Sequence, residues 1–152
     1  MLGFSYKNDS FSFSFSDPIT GNTYLSTKDS TLVFMDRYIQ MDFNLPSQRV
    51  FGFGERVREF QLSEGTWTMW AIGQNSPYDD GQGRKNVYGV HPFIMVQGKS
   101  KDDFFGIYFR NSNFQSPVLR YNADGSSTLS YITTGGILDV YFFIHGSAKS
   151  II

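Results

Sequence analysis

Apolar and polar positions alternate strictly in Phe11-Ser12-Phe13-Ser14-Phe15-Ser16, which is the period of a half-buried strand. Asp17-Pro18 and Thr20-Gly21-Asn22 follow, so this stretch predicts a strand entering a hairpin. The same period returns between Tyr38 and Asn44. There Tyr38, Gln40, Asp42 and Asn44 form a wet side, and Ile39, Met41 and Phe43 a core side. Further strands are predicted over 31–34, 49–53, 57–62, 67–72, 87–96, 104–109, 118–121, 128–133 and 137–144. Gln97-Gly98, Asn122-Ala123-Asp124-Gly125 and Gly135-Gly136 separate the later ones. One long stretch, 73–86, contains four Gly or Pro residues and no Val, Ile, Leu or Phe, and reads as a functional loop. No window supports a long amphipathic helix. Gly146 to Ile152 can begin a short one, with Ser147 as its N-cap. The chain stops before a full helix, as a domain continuing into further polypeptide would. About ten short strands with frequent turns predict an all-β fold, an antiparallel sandwich spanning 1–152 as one domain.

Composition sharpens this reading. Sixteen Phe, nine Tyr and two Trp make 18% of the 152 residues, and such rings favour a pleated, half-buried surface. The length suits one domain with its own core. No cysteine is present, which removes disulfides, thiolate catalysis and sulfur-ligated zinc. A net charge of −1 argues against nucleic acid as a partner. No apolar run reaches the roughly 18 residues of a membrane span. Met1-Leu2-Gly3-Phe4-Ser5 lacks the regions of a signal peptide.

Few residues offer chemistry. His91 lies in Tyr88-Gly89-Val90-His91-Pro92-Phe93 and reads as a structural histidine in a strand buried on both faces, its nitrogens bonded. Its replacement by Ala is then expected to cost about 1–3 kcal/mol. His145, at a strand end, also reads as structural. The histidine spacing forms no metal motif, and GxSxG is missing. Metal and cofactor are therefore expected to be none. Gly52-Phe53-Gly54-Glu55 is half of a dinucleotide fingerprint with no long helix after it, so the glycines serve an unusual turn and Glu55 accepts backbone hydrogen bonds. Asp79-Asp80-Gly81-Gln82-Gly83 is read either as an exposed turn or as carboxylates for a cation. With Trp67, Trp70 and Tyr78 nearby, a sugar site is a third reading, because rings stack on sugar C–H faces and carboxylates bond hydroxyls. Core packing is the plain reading for both tryptophans.

Several motifs together resemble the N-terminal domain of glycoside hydrolase family 31, the α-glucosidase family. They are Phe34 to Gln40, Leu45-Pro46-Ser47 and Val50 to Arg56; then the "YGVHPF" strand Tyr88 to Phe93; the "NSN" segment Gly106 to Asn113; and the "TGGILDFYFF"-like segment Thr133 to Phe143. Their order and spacing cover the chain from about Phe11 onward. The resemblance implies a galactose-mutarotase-like β-sandwich leading to a catalytic (β/α)₈ barrel. That barrel carries two carboxylates about 5–5.5 Å apart in a retaining mechanism. The barrel and its Trp-x-Asp-Met motif do not occur in these residues, so no catalytic residue is assigned and the chain alone is expected to be inactive. In the family an Asp shortly after a Met-aromatic pair binds sugar. The pair here is Met69-Trp70, but the Asp position falls near Gly73, followed by Gln74 and Asn75. Either Asp79 or Asp80 replaces it from a longer loop, or the role is lost. The substrate-binding set is thus Asp79, Asp80, Gln74 and Trp70.

Three functions follow. The first is an accessory, carbohydrate-binding domain that supports a barrel in cis and binds an α-linked glucoside. The second is a free-standing module that binds a glycan or a partner protein in trans. The third is a mutarotase-like enzyme using His91 as acid or base. The resemblance further implies a secretory, lysosomal or extracellular setting. Asn8-Asp9-Ser10 is the one glycosylation sequon.

Overall fold

The computed structural model describes residues 2–7, 9, 11–27, 32–71, 85–144 and 146–152. Among them the chain forms twelve strands and one short helix. The strands are β1 (Gly3–Lys7), β2 (Ser12–Ser16), β3 (Thr23–Ser26), β4 (Val33–Met35), β5 (Tyr38–Leu45), β6 (Val50–Gly52), β7 (Gly65–Thr66), β8 (Phe93–Gln97), β9 (Phe104–Phe109), β10 (Val118–Tyr121), β11 (Ser127–Thr133) and β12 (Val140–Ile144), and α1 is Ala148–Ile151. Every pairing is antiparallel. One sheet has eight strands in the order β1-β2-β3-β5-β11-β10-β7, with β4 also paired to β5. The other has four, in the order β12-β9-β8-β6.

The alternation in β5 has its expected result. Ile39, Met41 and Phe43 are buried, whereas the intervening positions are half-buried or exposed. Burying Phe43 completely contributes about 1.5–3 kcal/mol. Rings join the two sheets: Phe15 of β2 stacks on Phe142 of β12 at 4.6 Å, and Phe43 meets Phe109 of β9 edge-on at 5.5 Å. Phe109 in turn stacks on Tyr131 of β11 at 4.1 Å. The expected all-β antiparallel sandwich is the observed fold class, with α1 as the short terminal helix. Ser147 is the N-cap by position; its side chain makes no capping bond, and its carbonyl accepts from Ser150 instead.

Several expected strands differ. The stretch predicted over 87–96 is a strand only from Phe93. Residues 87–92 instead follow a sharp turn at Gly52 to Glu55. Phe53 N–H donates to Phe93 O at 3.1 Å, Gly54 N–H to His91 O at 3.0 Å, Glu55 N–H to Gly89 O at 3.0 Å and Val87 N–H to Glu55 O at 2.8 Å. Gly52, Phe53 and Gly54 all have positive φ, at 126°, 56° and 72°. A flat ladder cannot continue through three such residues. His91 is therefore exposed rather than buried, and its ring lies over the α-carbon of Gly89. Glu55 does bond backbone, accepting from Gly89 N–H at 2.8 Å. The stretches predicted as strands at 57–62 and 67–72 contribute only isolated bridges at Gln61 and Met69 among the described residues. β1 and the two-residue β7 have no counterpart among the predicted strands, although Phe4 and Tyr6 of β1 alternate with polar residues; β3 is the return arm of the predicted hairpin.

Candidate functional site

One end of the sandwich gathers the end of β9, the end of β11 and the approaches to β8 and β12. Asn111 organises it. Its Nδ2 donates to Gly135 O at 2.9 Å and to Ile137 O at 3.3 Å. Its Oδ1 accepts from Asn113 N–H at 2.8 Å and from Asn113 Nδ2 at 3.0 Å. Its carbonyl accepts from Gln115 Nε2 at 2.6 Å. Gln115 is fully buried, and its Oε1 accepts from Tyr131 OH at 2.9 Å. Burial pushes the Tyr131 phenol above the ordinary tyrosine range, so it stays a neutral donor. The "NSN" and "TGGI" segments thus hold each other through one asparagine.

Gln115 also fixes the neighbouring segment. Its N–H donates to Met69 O at 3.2 Å and receives Met69 N–H on its carbonyl at 2.8 Å. This reciprocal pair sets Trp70 against Phe114, with ring centroids 5.5 Å apart and planes at 82°. The two tryptophans therefore part company. Trp67 is fully buried, its Nε1 donating to Ser63 O at 3.0 Å, whereas Trp70 is 54% exposed. Core packing holds for the first and not for the second.

Trp70, Phe114, Asn111, Asn113, Tyr108 and Pro92 bound a cleft of about 480 Å³. That is within the usual range of about 300–1,000 Å³ for small-molecule sites. An exposed ring beside primary amides suits stacking and hydroxyl hydrogen bonding. Beside the cleft, Arg110 Nη1 lies 3.3 Å from Tyr141 OH and 3.6 Å from Asp139 Oδ2. The Tyr141 hydrogen bond, helped by Asp139, holds the Arg110 guanidinium above its ordinary range.

Of the residues expected to bind sugar, Trp70 lies in this cleft; Gln74, Asp79 and Asp80 lie outside the described residues, as does His145. Ala71 and Val90 also line the cleft. Asn111, Asn113 and Phe114 were not singled out from sequence as site residues. The "NSN" motif, which carries part of the family resemblance, is the signal that could have found them. Among the described residues no group of three or more His, Asp or Glu side chains could hold a metal ion.

The family described as the glycosyl hydrolase 31 N-terminal galactose mutarotase-like domain matches residues 5–114. Lysosomal alpha-glucosidase of Rattus norvegicus is 35% identical over 132 residues, which are 87% of this chain and 13% of that protein. Probable maltase-glucoamylase 2 of Homo sapiens is 31% identical over 84% of this chain and 5% of that protein. Glucoamylase 1 of Schwanniomyces occidentalis is 30% identical over 99% of this chain and 15% of that protein. The chain thus spans a small share of the curated relatives it matches. A crystal structure of glucosidase II alpha subunit superposes with a TM-score of 0.81 at 15% identity, over 99% of this chain and 21% of that one, which shows the shared fold. By the extent of the family match, over a sandwich of the corresponding architecture, the chain belongs to the N-terminal galactose mutarotase-like domain family of glycosyl hydrolase 31.

Proposed function

We propose that residues 1–152 form one accessory domain of an α-glucosidase-type glycosidase, supporting a catalytic barrel and contributing one wall of its sugar-binding site. The observation that carries this is the exposed Trp70 ring set edge-on to Phe114 in a cleft lined by Asn111 and Asn113. Such a ring costs solvation unless a ligand covers it, and a pyranose offers a C–H face for the ring with hydroxyls for the amides. Gln74, Asp79 and Asp80 belong to the chain between Ala71 and Lys85, and would add carboxylate and amide contacts to the same sugar. The occupant is an α-linked glucoside. Because Gly73 stands where the family resemblance leads one to expect an Asp, a second reading is a free-standing module that holds a glycan or a partner protein without catalysis.

Titrating the chain with maltose, followed by amide and indole NMR, tests the shared part of both readings. Saturable shifts at the Trp70 indole and the Asn113 side chain are expected, and Trp70→Ala should abolish them while leaving the other resonances in place. Shifts that survive Trp70→Ala, or none up to tens of millimolar sugar, would overturn the site. The accessory reading further expects the affinity to rise when a barrel is joined to the domain; equal affinity with and without a barrel favours the free-standing module.

A further inference from the structure

The larger sheet reaches past the smaller one at β12. Phe4 and Tyr6 of β1 stand directly opposite Phe15 and Phe13 of β2. Side chains opposite each other in a pair share a face. Phe15 stacks on Phe142, so all four rings point to the inside of the sandwich. Yet Phe4 is 57% and Tyr6 66% exposed, because β12 is the last strand of the facing sheet. Below the overhang is an apolar cavity of about 240 Å³ bounded by Phe4, Phe11, Phe13, Leu138, Val140 and Phe142.

Among the described residues the edge beside this cavity is open: β12 pairs with β9 only, and Arg110 N–H donates to Asp139 O at 2.8 Å. Hydrogen-bonded pairs alternate along an antiparallel ladder. Tyr141 and Phe143 therefore bond β9, and the N–H and C=O groups of Val140, Phe142 and Ile144 face outward. The strand Val140–Ile144 carries no charge and no proline, the devices that normally blunt an edge.

Hydrogen bonding and sterics select the occupant. A lipid chain or small hydrocarbon would cover the rings but strip water from the edge N–H and C=O groups without replacing it. A second copy of this chain pairing through its own β12 would bring its own β2, stacked on its Phe142, into the space that β1 already fills. A bare strand meets both demands: its backbone bonds β12, and its alternate side chains fill the cavity under Phe4. We infer that the open edge of β12 accepts one extended peptide strand with apolar side chains at alternate positions, supplied by polypeptide that flanks this domain in family 31 glycosidases. The curated relatives cited above are from about seven to twenty times longer than the stretch they share with this chain, and a tethered strand has a high effective concentration.

The probe is a heptapeptide in which valine and phenylalanine alternate with threonine, with a control of the same composition whose apolar residues are grouped. The alternating peptide should bind saturably, shift the amides of Val140, Phe142 and Ile144, and slow their hydrogen exchange. Phe4→Lys, at an exposed position, should weaken binding by about tenfold or more while the circular-dichroism spectrum stays unchanged. Equal binding of the control, or ring shifts without slowed edge amides, would overturn the inference in favour of a merely greasy cavity. Dimerisation seen by light scattering, with the same amides protected in the absence of peptide, would overturn it in favour of a second copy. In a longer family 31 chain containing this domain with its flanks, the three amides should be protected already; free exchange there would overturn the proposed source.

Discussion

Gly54 shows how a single position is constrained from two directions. Its φ is +72°, in the left-handed region that L side chains adopt at a cost of about 1–2 kcal/mol. A Cβ there would also collide with Asn86 Oδ1, and Asn86 is buried. Gly54→Ala should therefore destabilise the chain by about 2–4 kcal/mol, read as a lower urea midpoint. His91 provides the contrast. Its backbone carbonyl is used by Gly54 N–H, whereas its ring is exposed, so His91→Ala should stay within about 0.5 kcal/mol in the same assay. A large His91 effect together with a small Gly54 effect would reverse this assignment. Phe53, between the two glycines, is non-glycine, positive in φ at 56° and 1% exposed. Strain of this kind persists only where packing over-determines it. Here the buried ring and the Phe93 O hydrogen bond supply that packing.

Most elements with a clean period or a long apolar run were legible; β1, whose Phe4 and Tyr6 alternate with polar residues over only five positions, was not. β5, β9, β10 and β11 lie at or within one or two residues of their predicted bounds, because alternation or a β-branched and aromatic run was bounded by real turn residues. The segment before β8 was misread because its apolar residues fit a strand by composition, while the chain had to follow the Gly52 to Glu55 turn. The site was half legible. Trp70 stood out by residue type, but Asn111 and Asn113 act through tertiary hydrogen bonds that spacing does not reveal. The hairpin turn between β2 and β3 was read correctly, and it carries a testable charge. Asp17 accepts from Ile19 N–H and from Thr20 Oγ1, each at 2.8 Å. These bonds, that of Ile19 first, hold its carboxyl below the ordinary value of 3.8. A carboxylate with a depressed folded-state pKa contributes stability above the unfolded value and loses it as pH falls through the folded one. The gap in thermal midpoint between the wild-type chain and Asp17→Asn should thus be constant above the ordinary carboxylate range and narrow below it. A gap that does not change with pH would show that the charge is irrelevant to the turn.

At the scale of the molecule, one end of the sandwich and one edge each carry a cavity lined by exposed rings. The end holds the Trp70 cleft, and the edge holds the overhanging rings. Neither presents, among the described residues, the closely spaced pair of carboxylates that retaining glycoside hydrolysis uses. The chain alone should release no nitrophenol from a nitrophenyl α-glucoside and no glucose from maltose. Turnover that co-purifies with the chain through a second column would refute this and would reopen the acid–base reading of His91.

The pairing of β5 with β11 aligns Ile39 through Leu45 with Ser127 through Thr133, at the middle of the larger sheet. Everything between those two strands, including all of β8 and β9, must leave the ribosome before the sheet can close. Until then the edge of β5 that β11 will pair has no partner strand, although Phe43 can already meet Phe109 of β9. Contacts that span most of a chain are slow to form, since the loop must be ordered before the pairing rewards it. A nascent chain of this design therefore passes through an interval in which a central strand of its larger sheet has one edge unpaired, and its yield in a cell depends on what shields that edge during synthesis.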